Sequence, residues 1–253
     1  MDSQPALWTP RPAIIRAAPR ELLRPSLNDR MKLGLIPGFC VPGILEPAAP
    51  YSNLAWVQSA TLATSTTTYT FSAQPIGTAA ADRWVIVGAI VVSSSITGVT
   101  IGGITATQIE YLSSTAPRLG FWAALVPTGT TANIVVTTST SANGMHIGYW
   151  TVNMSSGVPL SSFSNASGSS TSVSLGAQVL LAGQFGLAIS AHSDTTDRVG
   201  SNTSGGLTKD GETFSGYNAA FWRREATLST TVAFSWPSAS TSFNCTGAFA
   251  SWQ

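Results

Sequence analysis

The chain has 253 residues, 43% hydrophobic and only 9% charged, with a formal net charge of +1. That is enough chain to bury a core within one domain, and too little charge for a disordered or nucleic-acid-coating protein. The near-neutral balance also gives no electrostatic reason to expect DNA, RNA or an anionic membrane as partner.

The opening residues MDSQPALWTPRPAII lack a basic start, an apolar run and a small-residue cleavage site, so no secretory signal is expected and the chain is expected to be either cytoplasmic or assembled in the cytoplasm. Nine of the 14 prolines fall within residues 1–50, together with six of the 12 basic residues and four of the 11 acidic ones. Prolines at this density forbid a long helix or a central strand, because each removes a backbone donor and restricts its predecessor. The segment is nevertheless apolar: Trp8, Ile14, Ile15, Leu22, Leu23, Leu35, Ile36 and Phe39 are not the composition of a solvated linker. Ser26-Leu27-Asn28-Asp29 resembles a capping box, with Gly34 as a stop, and predicts one or two helical turns. Residues 1–50 are therefore expected to form an extended arm, with a contour of roughly 160 Å, that docks on another molecule.

From Tyr51 onward, short β-branched and aromatic runs alternate with Gly, Ser, Thr and Asn clusters. The pattern predicts strands near 53–61, 68–73, 83–94, 97–101, 104–111, 119–126, 132–138, 145–153, 171–175, 178–192, 218–224, 229–236 and 246–252. Tyr69/Phe71, Ile134/Val136, Val232/Phe234/Trp236 and Phe249 fit strands with one dry face and Ser or Thr on the other. Trp84–Val92 and Val179-Leu180-Leu181 are apolar on both faces and predict strands covered on each side. The Trp84–Val92 run is far shorter than the ~20 residues of a membrane-spanning helix. Gly102-Gly103 predicts a tight hairpin, since glycine supplies the positive φ of a primed turn. Asn143-Gly144 and Asn165–Ser170 are expected to be turns. The fold class is thus all-β, a two-sheet antiparallel sandwich of jelly-roll or immunoglobulin-like Greek-key type behind an extended N-terminal arm. Phe121-Trp122 with Tyr149-Trp150, and Phe221-Trp222 with Ser251-Trp252, recur about 100 residues apart, as two related Greek-key units sharing one sandwich would.

Chemistry-bearing residues are sparse. His146 sits within a predicted strand with no acid nearby in sequence, and His192-Ser193-Asp194 is not a triad, whose members converge in space from distant segments. No helix follows any serine to make a nucleophile elbow, and Gly102-Gly103 lacks the pattern of a phosphate loop. No enzyme activity and no cofactor are implied. Asp194, Asp197, Asp210 and Glu212 fall in the polar stretch between His192 and Tyr217, expected as a long loop. They are candidates for calcium or for a receptor loop, though their spacing departs from the EF-hand pattern. The eight tryptophans include candidates for a sugar-stacking platform, with core packing the commoner use. Arg223-Arg224-Glu225 has the look of an edge-protecting charge cluster. Cys40 and Cys245 are too far apart in sequence for a zinc knuckle. They are two isolated thiols, or a bridge if the finished particle lives outside a reducing cell.

The order Tyr69-Thr-Phe-Ser, Pro75-Ile-Gly-Thr-Ala, Asp82-Arg-Trp-Val-Ile-Val, Val99-Thr-Ile-Gly-Gly-Ile-Thr-Ala and Val126-Pro-Thr-Gly-Thr-Thr resembles a group of tailed-bacteriophage virion proteins. The likeness includes the C-terminal Gly247-Ala-Phe-Ala-Ser-Trp252 and the arm's Pro12-Ala-Ile-Ile-Arg16, and covers most of the chain. The resemblance implies a structural component of a virion, assembled in the host cytoplasm, that decorates a capsid or attaches at the neck or tail. Its partners would be other virion proteins, namely capsid, portal, neck or tail subunits, with homo-oligomers expected and no nucleic-acid or membrane partner. Trp8, Ile14, Ile15, Arg16, Leu22, Leu23, Leu35, Ile36 and Phe39 would make the docking contacts. The alternative is a host-surface or glycan-binding adhesin module of a tail or head fibre.

Overall fold

A computed structural model describes residues 51–196, 199–204, 206–237 and 242–253, all within one compact unit, Pro47–Gln253. The described residues contain no α-helix, and every strand pairing is antiparallel. The first half supplies β1 (Tyr51–Pro75), β2 (Arg83–Val91), β3 (Ile96–Ile101), β4 (Ile104–Thr105), β5 (Thr107–Leu112), β6 (Arg118–Leu125) and β7 (Thr131–Met154). The second supplies β8 (Ser161–Ser167), β9 (Ser172–Leu180), β10 (Phe185–His192), β11 (Ser201–Ser204), β12 (Thr208–Phe214), β13 (Asn218–Arg224), β14 (Leu228–Ser235) and β15 (Cys245–Trp252).

The first half forms one seven-stranded sheet in the order β4-β3-β7-β2-β6-β5, with β1 also on β7. Between the pairs Thr66–Ala142 and Thr68–Thr137, β1 advances two residues and β7 five, a bulge that bends both long strands. The bend turns the sheet onto itself until it nearly closes around a core of Tyr69, Val87, Val99, Trp122, Ile134 and Tyr149. The second half forms a five-stranded sheet, β12-β13-β10-β15-β8, and a three-stranded one, β11-β14-β9, with Leu175, Trp222, Phe234 and Phe249 buried between them. A third core, including Ile86, Phe121, Trp150, Phe185, Phe221 and Trp252, joins the two halves.

The strand plan of the first half is repeated in the second. Gly88 pairs with Phe121 on β6 and Gly148 on β7, and Ile189 pairs with Phe221 on β13 and Ala248 on β15. Even the irregularity recurs: β5 is bulged between Gln108 and Glu110 opposite Trp122 and Phe121, and β12 between Lys209 and Gly211 opposite Trp222 and Phe221. On this register β2, β5 and β6 answer to β10, β12 and β13, while the long β1 and β7 answer to the separated pairs β8/β9 and β14/β15. The aromatic echo in the sequence marks these matched positions. Phe121 and Phe221 face the shared core, and Trp122 and Trp222 face the core of their own half. Each half keeps its own sheets among the described residues, so the expected sharing of one sandwich is replaced by two packed repeats.

The repeats meet as an isologous pair does. β12 lies against β1, where the Thr61 and Thr213 hydroxyls are 2.8 Å apart, and β5 lies against β8, where Ser164 donates to Glu110 Oε1 at 2.7 Å. At the centre the contact is a socket. A Cβ on Gly88 would lie 2.7 Å from Ile189 Cγ2, and one on Gly148 would overlap the Phe221 ring.

The Gly-Gly hairpin forms as expected, with φ of +60° and +80° at Gly102 and Gly103. The two-sided strand Trp84–Val92 is β2, whose Val85, Val87, Ala89 and Val91 face the first core and Ile86 and Ile90 the shared one. Other expectations are corrected. Val179-Leu180-Leu181 is not covered on both sides, because β9 buries one face and turns the other to water, leaving Val179 and Leu181 exposed. The predicted strand 178–192 is broken by a turn in which Gln184 N donates to Leu181 O and Gly183 takes φ +80°. Phe249 has no wet side, since β15 is buried on both faces. Asn143-Gly144 lies inside β7, and Asn165–Ser167 belongs to β8 rather than to a turn.

Candidate functional site

The arm residues Trp8, Ile14, Ile15, Arg16, Leu22, Leu23, Leu35, Ile36 and Phe39, the capping-box segment, Cys40 and Asp197 lie outside the described residues. Cys245 is a free thiol, fully buried on β15, and burial raises its pKa.

The polar stretch after His192 is not one long loop. β11 and β12 run through it, and the structure disperses the acids the sequence grouped there. Asp194 is buried beyond the end of β10, where its Oδ1 accepts from Thr196 N at 2.9 Å and its carbonyl accepts from Asn218 Nδ2 at 3.1 Å. Asp210 is the bulged residue of β12 and crosses to the other half, its Oδ2 accepting from Trp150 Nε1 at 2.7 Å while Oδ1 meets Arg223 Nε at 3.1 Å. Burial raises the Asp210 pKa, with the Trp150 hydrogen bond and the Arg223 charge opposing. Glu212 accepts from Gly200 N and from Lys209 Nζ. No group of three or more metal-ligating side chains occurs among the described residues.

Both histidines are buried. His146 Nδ1 lies 2.9 Å from Thr61 Oγ1, and its ring stands edge-on to Tyr217 at 4.1 Å. Nε2 makes no well-formed hydrogen bond among the described residues, and burial lowers the pKa to about 3 against a weak pull from the Ser215 backbone. His192 Nδ1 accepts from Asp194 N, and burial lowers its pKa as well. His192-Ser193-Asp194 is thus a turn closed on its own backbone, not a base aimed at a hydroxyl.

Arg223-Arg224-Glu225 does not guard an edge, since β13 lies between β12 and β10. Arg223 pairs with Asp210, and Arg224 donates to the carbonyls of Gly206, Ala226 and Thr227. Arg83, 2% exposed, likewise donates to the carbonyls of Gly77, Val126, Thr128 and Gly129, so its guanidinium ties two loops together.

Seven of the eight tryptophans, all but Trp8, fall on or beside strands packed into the three cores, and Trp150, Trp236 and Trp252 are fully buried. Trp56 and Trp84 are only partly buried. The Trp84 ring lines an apolar notch with Gln108, Ile109, Val158 and Pro159, and Leu125 is its cross-strand neighbour. Val158 is 74% exposed and Leu125 39%. Sequence reasoning missed this notch, because its residues come from three separated segments.

No protein family, curated protein or solved structure matches the chain.

Proposed function

We propose that the chain is a structural protein of a tailed-phage virion, capsid-decorating or attached at neck or tail, homo-oligomeric, and anchored to neighbouring virion subunits by residues 1–50. The second half of the domain is read as a two-sheet jelly roll: β8, β10, β12, β13 and β15 share one sheet and β9, β11 and β14 the other, so that the chain changes sheet at every step except β12 to β13, close to the alternation that two interlocked Greek keys produce.

The observation that carries the reading is the use made of the buried polar groups. Arg83, Asp210, Asn218 and His192 hold loops and strands of the domain itself, which is the economy of a rigid building block. The resemblance in the sequence and the apolar composition of the arm support the same conclusion.

Incorporation is the test. A tagged full-length chain carrying Leu35→Asp, Ile36→Asp and Phe39→Asp is expected to stay out of particles that take up the unmodified chain, as read by co-sedimentation. Equal uptake of the two chains refutes the proposal.

A further inference from the structure

The two repeats part company at the end of the first sheet where β2 begins. In the second half the matching end is closed by short connections, residues 181–184 between β9 and β10 and residues 225–227 between β13 and β14. In the first half both connections are longer, residues 76–82 and 126–130. They meet over Arg83, which on the register of the repeat stands where the second half has the neutral Gln184. All four carbonyls that hold the guanidinium, those of Gly77, Val126, Thr128 and Gly129, come from these two connections. One repeat thus carries a buried cation and the loops that grip it, at a place where the other manages without either. Arg83 forms no ion pair among the described residues, and burial lowers its pKa with no acidic neighbour opposing. A guanidinium has five N–H groups. Four are engaged, and the fifth, on Nη1, has no partner among the described residues.

Beside Arg83 the inner face of the sheet turns from apolar to polar. β2 runs from Val87 and Val85 to Arg83, and β7 from Ile147 and Tyr149 to Thr151 and Asn153, with Arg83 opposite Asn153 and Ala55 opposite Thr151. A bulge in β1 between Ser52 and Ala55 adds Asn53 at φ +54°, a conformation that asparagine tolerates better than most side chains. These residues, with Gly77 and Thr78, line an open hollow of about 330 Å³. We infer that this hollow binds a hydroxylated carboxylate of hexuronate size, its carboxylate held by Arg83 and its hydroxyls by Asn53, Thr78, Thr151 and Asn153. A buried guanidinium with no acid paired to it favours one negative charge. Asp82, whose Oδ1 accepts from Asn153 Nδ2 at 2.6 Å, disfavours a second and so selects against a phosphate dianion. The other polar groups of the wall are neutral amides and hydroxyls, which suit the hydroxyls of a sugar ring. The volume lies at the small end of ligand pockets, room for a single ring.

The test is titration of the full chain with sodium glucuronate, glucose, acetate and inorganic phosphate, followed by calorimetry and by the Arg83 Nε–H and Asn53 side-chain signals of ¹⁵N-labelled chain. Glucuronate is expected to saturate with a Kd of roughly 1 mM, to shift both signals, and to bind roughly tenfold or more tightly than the other three. Glucose binding as tightly would remove any role for the charge, acetate any role for the hydroxyls, and phosphate the selection of a single charge. Each of these overturns the assignment, as does a failure of glucuronate to saturate. Asn53→Gly keeps the positive φ while removing the amide, and is expected to weaken glucuronate roughly three- to tenfold; unchanged affinity would overturn the hollow as the site. Arg83→Gln installs the residue of the second repeat and is expected to reduce glucuronate to the level of glucose, and retained discrimination in the folded variant overturns the role of Arg83. If that variant does not fold, the four-ligand comparison and Asn53→Gly decide.

Discussion

The buried His146 sets a steep acid limit on the fold. Its pKa falls from 6.5 to about 3 on folding because the ring is removed from water among Thr61, Thr213 and Tyr217, none of which offers a negative charge. The folded chain keeps the ring neutral while the unfolded chain protonates it below pH 6.5. The unfolded state then binds the extra proton, so stability is intact above pH 6.5 and declines as pH falls toward 3. At ~1.4 kcal/mol per pH unit, the loss is about 3 kcal/mol between pH 6.5 and 4.5 and about 5 kcal/mol over the whole window. His192, whose pKa also drops on burial, adds in the same direction. Asp210 works against both, since its folded pKa is raised and its protonation favours the folded state. Urea unfolding followed by tryptophan fluorescence at pH 7.0, 5.5 and 4.5 measures the sum. The comparison with His146→Gln isolates the single group, and the variant is expected to lose about 3 kcal/mol less than the parent between pH 6.5 and 4.5. Parallel pH profiles for the two chains would refute the reasoning.

Three further outcomes follow from contacts in the shared core and its margins. Gly148→Ala places a methyl in the Phe221 ring and is expected to cost about 1–3 kcal/mol in urea unfolding, as overpacking does; an unchanged midpoint would mean that the two halves are not in close contact there. Asp210→Ala leaves Trp150 Nε1 without its acceptor and is expected to cost about 1–3 kcal/mol, while Asp210→Asn, which keeps an oxygen for the indole, costs less. Equal losses in the two variants would show that the indole bond contributes nothing. In a Cys40→Ser chain, Cys245 is expected to resist an aromatic disulfide reagent at pH 8 until urea is added, and prompt reaction of the native chain would contradict its burial.

Legibility in the sequence followed the physics of each element. The Gly102-Gly103 hairpin and the two-sided β2 could be read because one signal dominates each, a pair of glycines in the first and an unbroken apolar run in the second. The strands that escaped, β8, β11 and β12, are sheet edges with sequences SSFSNAS, SNTS and TKDGETF. An edge strand facing water needs little apolar content and gains from charge, so it has the composition of a loop. Asn143-Gly144 misled for a different reason: β7 bends without ending, and Gly144 takes φ +111° while β1 stays paired beside it. The acids between His192 and Tyr217 were close in sequence and far apart in role, because strands β11 and β12 direct them to different neighbours. The notch had one trace in the sequence, the 100-residue aromatic echo. Aligning on Phe121-Trp122 and Phe221-Trp222 sets Leu125 against Glu225, a mismatch that patterning alone does not interpret.

The glycine socket at the centre of the molecule decides who can pair with whom. By the same correspondence Gly88 and Ile189 hold one position and face each other, so two first halves would leave a hollow there and two second halves would bring Ile189 against its own copy. The unlike combination sets a glycine against an isoleucine and fills that point without collision. The covalent link between residues 154 and 161 supplies that unlike mate at high local concentration.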